Sequence, residues 1–288
     1  MNAALQTSRR HTPSMVEGEF PFTAQDFKRI AAFLHEQSGI FIPETKATLV
    51  YSRLAKRLRL LGLANFEQYC ALLDSGAGED ERNAMIAALT TNVTRFFREP
   101  HHFDHLRDEV LPALVARAKN GGRVRIWSSA CSSGQEPYSI ALTLLALMPD
   151  AERYDVRILA TDIDPNVVAT AKEGLYNDEA IEPIPRALRD RWMKRENNEW
   201  RVGPEARALI SFRELNLIGQ WPMKGKFDAI FCRNVVIYFE EATQNRVWTR
   251  FRDYLAPAGR LYVGHSERID VAGFATDGLT IYRLTGRA

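Results

Sequence analysis

Residues 123–145 read RVRIWSSACSSGQEPYSIALTLL, and this stretch decides the fold. Val124 to Trp127 form a short apolar strand with basic residues interleaved, and the small polar run from Ser128 to Gly134 turns the chain sharply into a helix expected to begin near Pro137. Pro137 suits the first helical turn because its missing N–H would have had no intrahelical partner. Ile140, Ala141, Leu144 and Leu145 then follow at helical spacing. A strand, a tight turn and a helix form the unit at which an open α/β sheet holds a nucleotide-like ligand. Ser132, Ser133 and Gly134 allow the backbone to approach a ligand, and Gln135 and Glu136 place polar side chains at the helix mouth. Ordinary βα loops share this pattern, so the stretch needs its neighbours to become a site.

Downstream, Val156 to Ala160 is a second strand closed by Thr161-Asp162-Ile163-Asp164-Pro165, which implies a right-handed parallel unit. Asp162 ends that strand where an acidic side chain accepts hydrogen bonds from ribose hydroxyls, and Asp164 before Pro165 reads as a helix N-cap. From Tyr176 to Glu214 the βα rhythm breaks, and Asn197-Asn198 marks a hairpin followed by a strand near Leu209 to Phe212, an inserted antiparallel flap over about residues 190–214. Asn216 and Leu217 follow in a loop. FDAIFCR, from Phe227 to Arg233, is the continuous apolar run of a covered central strand, with Arg233-Asn234 at its carboxyl end and Tyr238 beyond. A helix (241–255), a strand (260–263), the turn Gly264-His265-Ser266-Glu267 and a last strand (279–284) complete the order. His265 reads as structural, because no Ser or Cys nucleophile motif accompanies it.

Upstream, residues 22–90 read as an all-α domain: Thr23 caps a first helix ending at Gly39, a second (46–61) ends at Gly62, and two more cover 65–73 and 79–89. Between Phe22 and Gly62 there is an excess of four positive charges, and Arg53 and Arg57 share a helix face with Lys56 beside them. A solvated face is the plain reading; an acidic protein partner is the sharper one. Residues 1–21 lack the apolar core of a secretion signal and are expected to be a disordered lead-in. Residues 91–100 form a linker, in which Asn92, Thr94, Arg95, Arg98 and Glu99 exceed what a connection needs and Phe96 and Phe97 provide anchors. Residues 101–288 form the α/β domain.

At 288 residues with 45% hydrophobic content, the chain has ample material for a core, and no apolar run reaches membrane-spanning length. Cys70, Cys131 and Cys232 are odd in number and widely spaced, arguing against disulfides and zinc and for the cytoplasm. A net charge of +2 gives no reason to expect nucleic acid. HExxH, a Walker lysine, GxSxG and GxGxxG are all absent, so metal hydrolysis, P-loop chemistry and serine hydrolysis lack residues to carry them. SACSSGQE followed by Asp162 suits an adenosine ligand without a pyrophosphate better than NAD.

TNVTRFFRE, SSGQEPYSIA, ATDID, FDAIFCRNVVIYF and GHSE, in that order behind a basic helical domain, resemble the CheR family, the methyltransferases that transfer a methyl group from S-adenosylmethionine to glutamates of chemotaxis receptors. The resemblance spans residues 22–284. It implies an S-adenosylmethionine-dependent methyltransferase (Rossmann-like) sheet, an N-terminal all-α domain and a small inserted antiparallel β-subdomain. It places cofactor contacts on Asn92, Thr94, Arg98, Glu136, Asp162, Asn216, Leu217, Arg233 and Asn234, with Arg98 and Tyr238 as catalytic candidates and no metal. Asp162 suits the ribose diol, Glu136 the methionine ammonium, and Arg98 a carboxylate.

The implied product is S-adenosylhomocysteine, and the implied partners are the cytoplasmic domains of methyl-accepting receptors, met by Arg53, Lys56 and Arg57 of a monomer that does not insert into the membrane. Family members that tether to a receptor's C-terminal pentapeptide carry a glycine-containing loop in the β-subdomain; KRENNEWRV, from Lys194 to Val202, has none, which argues against tethering. Two other readings compete: a non-catalytic S-adenosylmethionine-binding regulator or scaffold, against which intact Arg98, Glu136 and Asp162 stand, and a dehydrogenase, which would prefer NAD.

Overall fold

The computed structural model describes residues 14–286, which fall into two compact units meeting in sequence at Leu89 and Thr90. The first is helical: α1 (Ala24–Ser38), α2 (Ala47–Leu61), α3 (Phe66–Asp74) and α4 (Glu79–Leu89). Thr23 and Asp26 form a reciprocal capping box that satisfies otherwise orphaned N–H groups, and Gly39 and Gly62 end α1 and α2 in the left-handed conformation. Phe22 stands at the centre of its core, with the Phe66 ring at 4.4 Å and the Tyr51 ring at 5.9 Å. The unit reaches back to Ser14, which bridges Thr23, and it buries Phe20, so the part of the expected lead-in from 14 to 21 is ordered. Residues 1–13 of that lead-in lie outside the described residues.

The second unit begins with α5, whose α-helical parts His101–His105 and Leu111–Lys119 are joined by a π turn, Leu106–Val110. It leads into β1 (Val124–Ser128), α6 (Gln135–Leu147), β2 (Val156–Asp162) and α7 (Pro165–Glu173). Next come β3 (Leu175–Tyr176), β4 (Met193–Glu196), β5 (Glu199–Val202), β6 (Ile210–Glu214) and β7 (Phe227–Cys232). Then α8 (Glu241–Tyr254), β8 (Leu255–Val263), β9 (Phe274–Gly278) and β10 (Ile281–Leu284) follow. A seven-stranded sheet runs β6-β2-β1-β7-β8-β10-β9, parallel from β6 to β8 and antiparallel at β10 and β9.

Every residue of β7 is buried, as its apolar run requires of a strand covered on both faces. Trp127 of β1 is fully buried among Trp221, Phe227 and Phe251, with ring centroids 4.9, 5.2 and 5.2 Å away. Asp164 caps α7, its Oδ1 accepting from the Asn166 N–H at 2.9 Å.

Three expectations are corrected here. α6 begins at Gln135, two residues before the expected start, which leaves Pro137 in the first turn where its missing N–H does no harm. The β-subdomain is three-stranded, β3-β5-β4, but its third strand comes from Leu175–Tyr176, upstream of the expected insert. Ile210–Glu214, which the 190–214 bounds put in the insert, instead pairs in parallel with β2 as an edge of the large sheet. The alternation of buried Ile210 and Phe212 with exposed Ser211 suits such an edge, and only pairing could reveal the partner. The sequence reading also had no counterpart for β9.

Candidate active site

Four adjacent strands, β6, β2, β1 and β7, bring their carboxyl ends to one edge of the sheet, and the sequence-predicted residues of the second unit fall there or on the linker that meets it. The β1 loop is held by backbone geometry. Ser132 lies at φ 47° and Gly134 at φ 97°. A Cβ on Gly134 would stand 2.7 Å from Tyr176 Oη and 2.9 Å from Ala171 Cβ, so both conformation and space require glycine. Tyr176 Oη donates to the Ser133 carbonyl at 2.6 Å, closing the loop from outside.

Asp162, at the end of β2, is buried, and each of its oxygens accepts one backbone N–H: Oδ2 from Ser132 at 2.8 Å and Oδ1 from Asp164 at 3.1 Å. Burial pushes its pKa up while these N–H groups pull the other way. The two bonds fix the carboxylate's orientation and leave it further acceptor capacity. From the linker, Asn92 donates to Asp164 Oδ2 at 2.8 Å, and its carbonyl accepts from Ser132 Oγ at 2.8 Å. Asn92 is thereby stapled to both loops. At the end of β6 the Leu215 N–H reaches the Asp162 carbonyl at 2.9 Å. Asn216 Oδ1 accepts from Ile218 N at 3.1 Å in a local turn, and the carbonyl of buried Leu217 takes Trp221 Nε1 at 3.1 Å and Arg250 Nη1 at 2.9 Å.

Glu136, on the first turn of α6, is buried; Ser128 Oγ donates to its Oε1 at 2.7 Å and Arg233 Nη1 to its Oε2 at 3.1 Å. Burial pushes its carboxyl pKa up, opposed by the Arg233 cation and the Ser128 hydroxyl. Arg233 turns inward, with a side chain only 2% exposed. Besides Glu136 it approaches Glu99 Oε2 at 3.3 Å and donates to the Arg98 carbonyl. Arg233 therefore bolts the linker to α6. His102, fully buried beside this cation, has its pKa lowered to about 2, chiefly by burial and then by Arg233. Its 3.5 Å approach to Glu99 is the contact of a neutral ring, with Nε2 2.9 Å from Thr280 Oγ1.

The linker is locally strained: Phe97 and Glu99 have φ values of 51° and 56°. Phe96 is fully buried against Tyr176 at 4.9 Å, whereas Phe97 is half-buried and donates its N–H to Ser139 Oγ at 3.0 Å. Thr94 is half-buried. Arg98 Nη1 donates to the Val93 carbonyl at 3.1 Å, and among the described residues its guanidinium has no carboxylate partner.

Sequence reasoning missed Glu267. Its buried carboxylate accepts from five backbone N–H groups: Gly264 at 2.6 Å and Asn234 at 2.8 Å on Oε2, Val235 at 3.0 Å, Val236 at 2.8 Å and Ile237 at 3.3 Å on Oε1. The GHSE tetrapeptide carried the signal; within it His265 is exposed, and its N–H donates to Glu99 Oε1 at 3.2 Å. Burial pushes the Glu267 pKa up, and the N–H groups oppose the shift. Asn234 takes φ 58° in this loop, and Tyr238 ends the short 3-10 turn Val236–Tyr238.

In the helical unit, two of the three expected receptor-binding cations have internal partners. Arg53 Nη1 donates to the carbonyls of Ala88 at 3.3 Å and Leu89 at 2.9 Å, capping the end of α4. Arg57 forms a two-point ion pair with Glu81, which also accepts from Tyr69 Oη at 2.8 Å. Lys56 alone of the three is exposed. Spacing gives the common face, and on it Arg57 is paired with a carboxylate, Arg53 keeps its charge against two carbonyls, and Lys56 is exposed.

Comparison with known proteins assigns both units. Residues 92–277 match the profile described as "CheR methyltransferase, SAM binding domain", and residues 25–90 match "CheR methyltransferase, all-alpha domain". A "Probable chemotaxis protein methyltransferase" of Rhizobium etli is 54% identical over 88% of this chain and 97% of its own. The "Chemotaxis protein methyltransferase 2" of Pseudomonas aeruginosa is 44% identical over 89% and 91%, and the "Chemotaxis protein methyltransferase" of Escherichia coli is 39% identical over 90% of each chain.

Proposed function

The chain belongs to the CheR methyltransferase family and is an S-adenosylmethionine-dependent methyltransferase; we propose that its acceptors are glutamate side chains in the cytoplasmic domains of chemotaxis receptors, methylated for sensory adaptation. The observation that carries the residue-level reading is the convergence of Glu136, Asp162, Asn216-Leu217 and Asn234 at neighbouring strand ends and the helix mouth, with the linker tied to them by Asn92 and by the Arg233 bond to the Arg98 carbonyl.

The donor set fits the cofactor. Asp162 has an oriented carboxylate with spare acceptor capacity for a ribose diol, and Glu136 is an acceptor for the methionine ammonium. Asn92 and Thr94 border the cofactor from the linker, and Asn216 and Leu217 from the end of β6. Arg233 serves through Glu136 and the Arg98 carbonyl as a positioning residue. When bound, S-adenosylmethionine supplies a methyl group on a sulfonium.

The acceptor needs no base, because a glutamate carboxylate with a reference pKa of about 4.3 is already ionised at neutral pH. Asp162 and Glu136 would hold the bound cofactor so that its sulfonium methyl passes to an acceptor carboxylate oxygen, with the S–CH3 bonding pair returning to sulfur and leaving a neutral thioether. The protein's part is alignment and water exclusion, from which proximity effects of up to about 7–11 kcal/mol are available. Arg98 holds a carboxylate, and Tyr238 lies near the adenine or the methyl donor and orders that side of the site. The chain acts as a monomer in the cytoplasm, and Lys56 is the cation of α2 offered to the acidic receptor helix. The two-residue Asn197-Asn198 turn makes the β4-β5 hairpin compact, which favours acting without a pentapeptide tether.

Incubation with methyl-labelled S-adenosylmethionine and a panel of receptor cytoplasmic domains tests the reading by release of base-labile label. Receptors that acquire no label from the native chain would sink it. Arg98→Ala is expected to abolish labelling, and normal turnover in that variant would remove Arg98 from the site.

A further inference from the structure

The loop after β7 presents Asn234 and Tyr238; its own bonds, Tyr238 N–H to the Val235 carbonyl at 3.2 Å and Phe239 N–H to the Val236 carbonyl at 2.9 Å, shape its far half and leave the N–H groups of Asn234 to Ile237 to other partners. It contains no glycine or proline, and Asn234 sits in the left-handed region at φ 58°. Four consecutive N–H groups, from Asn234 to Ile237, point the same way, the arrangement that ordinarily draws an external anion. Here the anion is internal. It belongs to Glu267, which is 3% exposed and sits across the sheet edge at the end of β8.

We infer that Glu267 is a positioning residue for cofactor binding: its carboxylate supplies the charge that these N–H groups need, and so fixes the backbone that sets Asn234 and Tyr238. The inference rests on the proposal above that this loop borders the cofactor. Two further features sharpen it. Gly264 begins the same turn, and a Cβ there would stand 2.5 Å from Asn234 Nδ2, 2.7 Å from Asn234 N and 2.8 Å from Glu267 Oε2, so the turn and the loop interlock without spare room. The turn also receives the linker, since Glu99 Oε1 accepts the His265 N–H at 3.2 Å while Glu99 Oε2 stands 3.3 Å from Arg233. Residues 264–267 thus join the β7 loop to the strap that carries Arg98.

Charge, and both oxygens, are what the geometry uses. A glutamine keeps the shape but accepts through one oxygen and turns an NH2 toward the other donors, leaving at least two buried N–H groups facing N–H. An aspartate keeps the charge and loses reach.

The test is calorimetric binding of S-adenosylhomocysteine to the native chain, Glu267→Gln and Glu267→Asp, alongside thermal unfolding and a KM split between cofactor and receptor. Glu267→Gln is expected to unfold cooperatively, to raise Kd and the cofactor KM about tenfold or more, and to leave the receptor KM unchanged, with Glu267→Asp between it and the native chain. If the native chain binds and Glu267→Gln binds equally well, the role of Glu267 is overturned and the cofactor reading stands. If the native chain does not bind, the cofactor reading falls, and this inference with it. Where Glu267→Gln fails to fold, Glu267→Asp decides: a folded variant with native Kd overturns the inference, and a raised Kd upholds it.

Discussion

The loops after β1 and β7 belong to paired strands and end at the same sheet edge, yet they divide their support differently between glycine and a distant carboxylate. The far half of the β1 loop contains its own solution: Gly134 takes φ 97° without penalty, its N–H returns to the Cys131 carbonyl at 3.0 Å, and a helix follows at once, while Ser132 at φ 47° leans on Asp162. The β7 loop places asparagine at φ 58° and is stabilised by a carboxylate 33 residues away. A left-handed turn at a binding edge can thus be supported by the absence of a side chain or by a distant anion. The first kind is written in adjacent residues; the second exists only after the chain has folded.

The comparison can be broken most severely at Asp162, where the β1 loop does depend on a neighbour. Asp162→Ala strips the acceptor from the buried Ser132 N–H and from the Asp164 N–H, each worth about 1–3 kcal/mol when left unsatisfied, and it removes the proposed ribose partner. Cofactor affinity should fall by about a hundredfold or more by calorimetry; a loss below threefold would show that the β1 loop stands without its neighbour and that Asp162 does not meet the ligand. A smaller effect is expected from Gly134→Ala, which forces a Cβ against Tyr176 Oη in a strained conformation costing about 1–3 kcal/mol. Its midpoint in denaturant should drop, and an unchanged midpoint would mean that the loop is not locally determined after all.

The smallest effect concerns the buried cluster behind the β7 loop. Folded His102, with a pKa of about 2, stays neutral where the unfolded imidazole, near 6.5, takes a proton. Its depressed value contributes stability that is full above pH ~6.5 and is lost as pH falls toward the folded value, about 1 kcal/mol of it by pH ~6. His102→Gln should flatten the melting temperature between pH ~7.5 and ~6, and an identical slope in both proteins would assign the pH dependence elsewhere.

The sequence by itself determined what neighbouring residues decide: the helix capped by Thr23, the turn at Gly134, the buried run of β7, and a series of motifs specific enough to name the family. It also nominated Glu136 and Asp162, because strand ends of a parallel sheet are where ligands meet side chains. Only the tertiary structure decided which charges remain available. Arg57 and Arg233 carry the same formal charge as Arg98 or Lys56, and they differ in having folded against Glu81 and against Glu136 with Glu99. It likewise moved Ile210–Glu214 from the insert to the edge of the large sheet and made Glu267 the anion that the N–H groups of the β7 loop meet. Backbone preference acts over a few residues and can be read along the chain, whereas hydrogen bonding and charge pairing act through space, between groups whose separation in sequence says nothing about their distance.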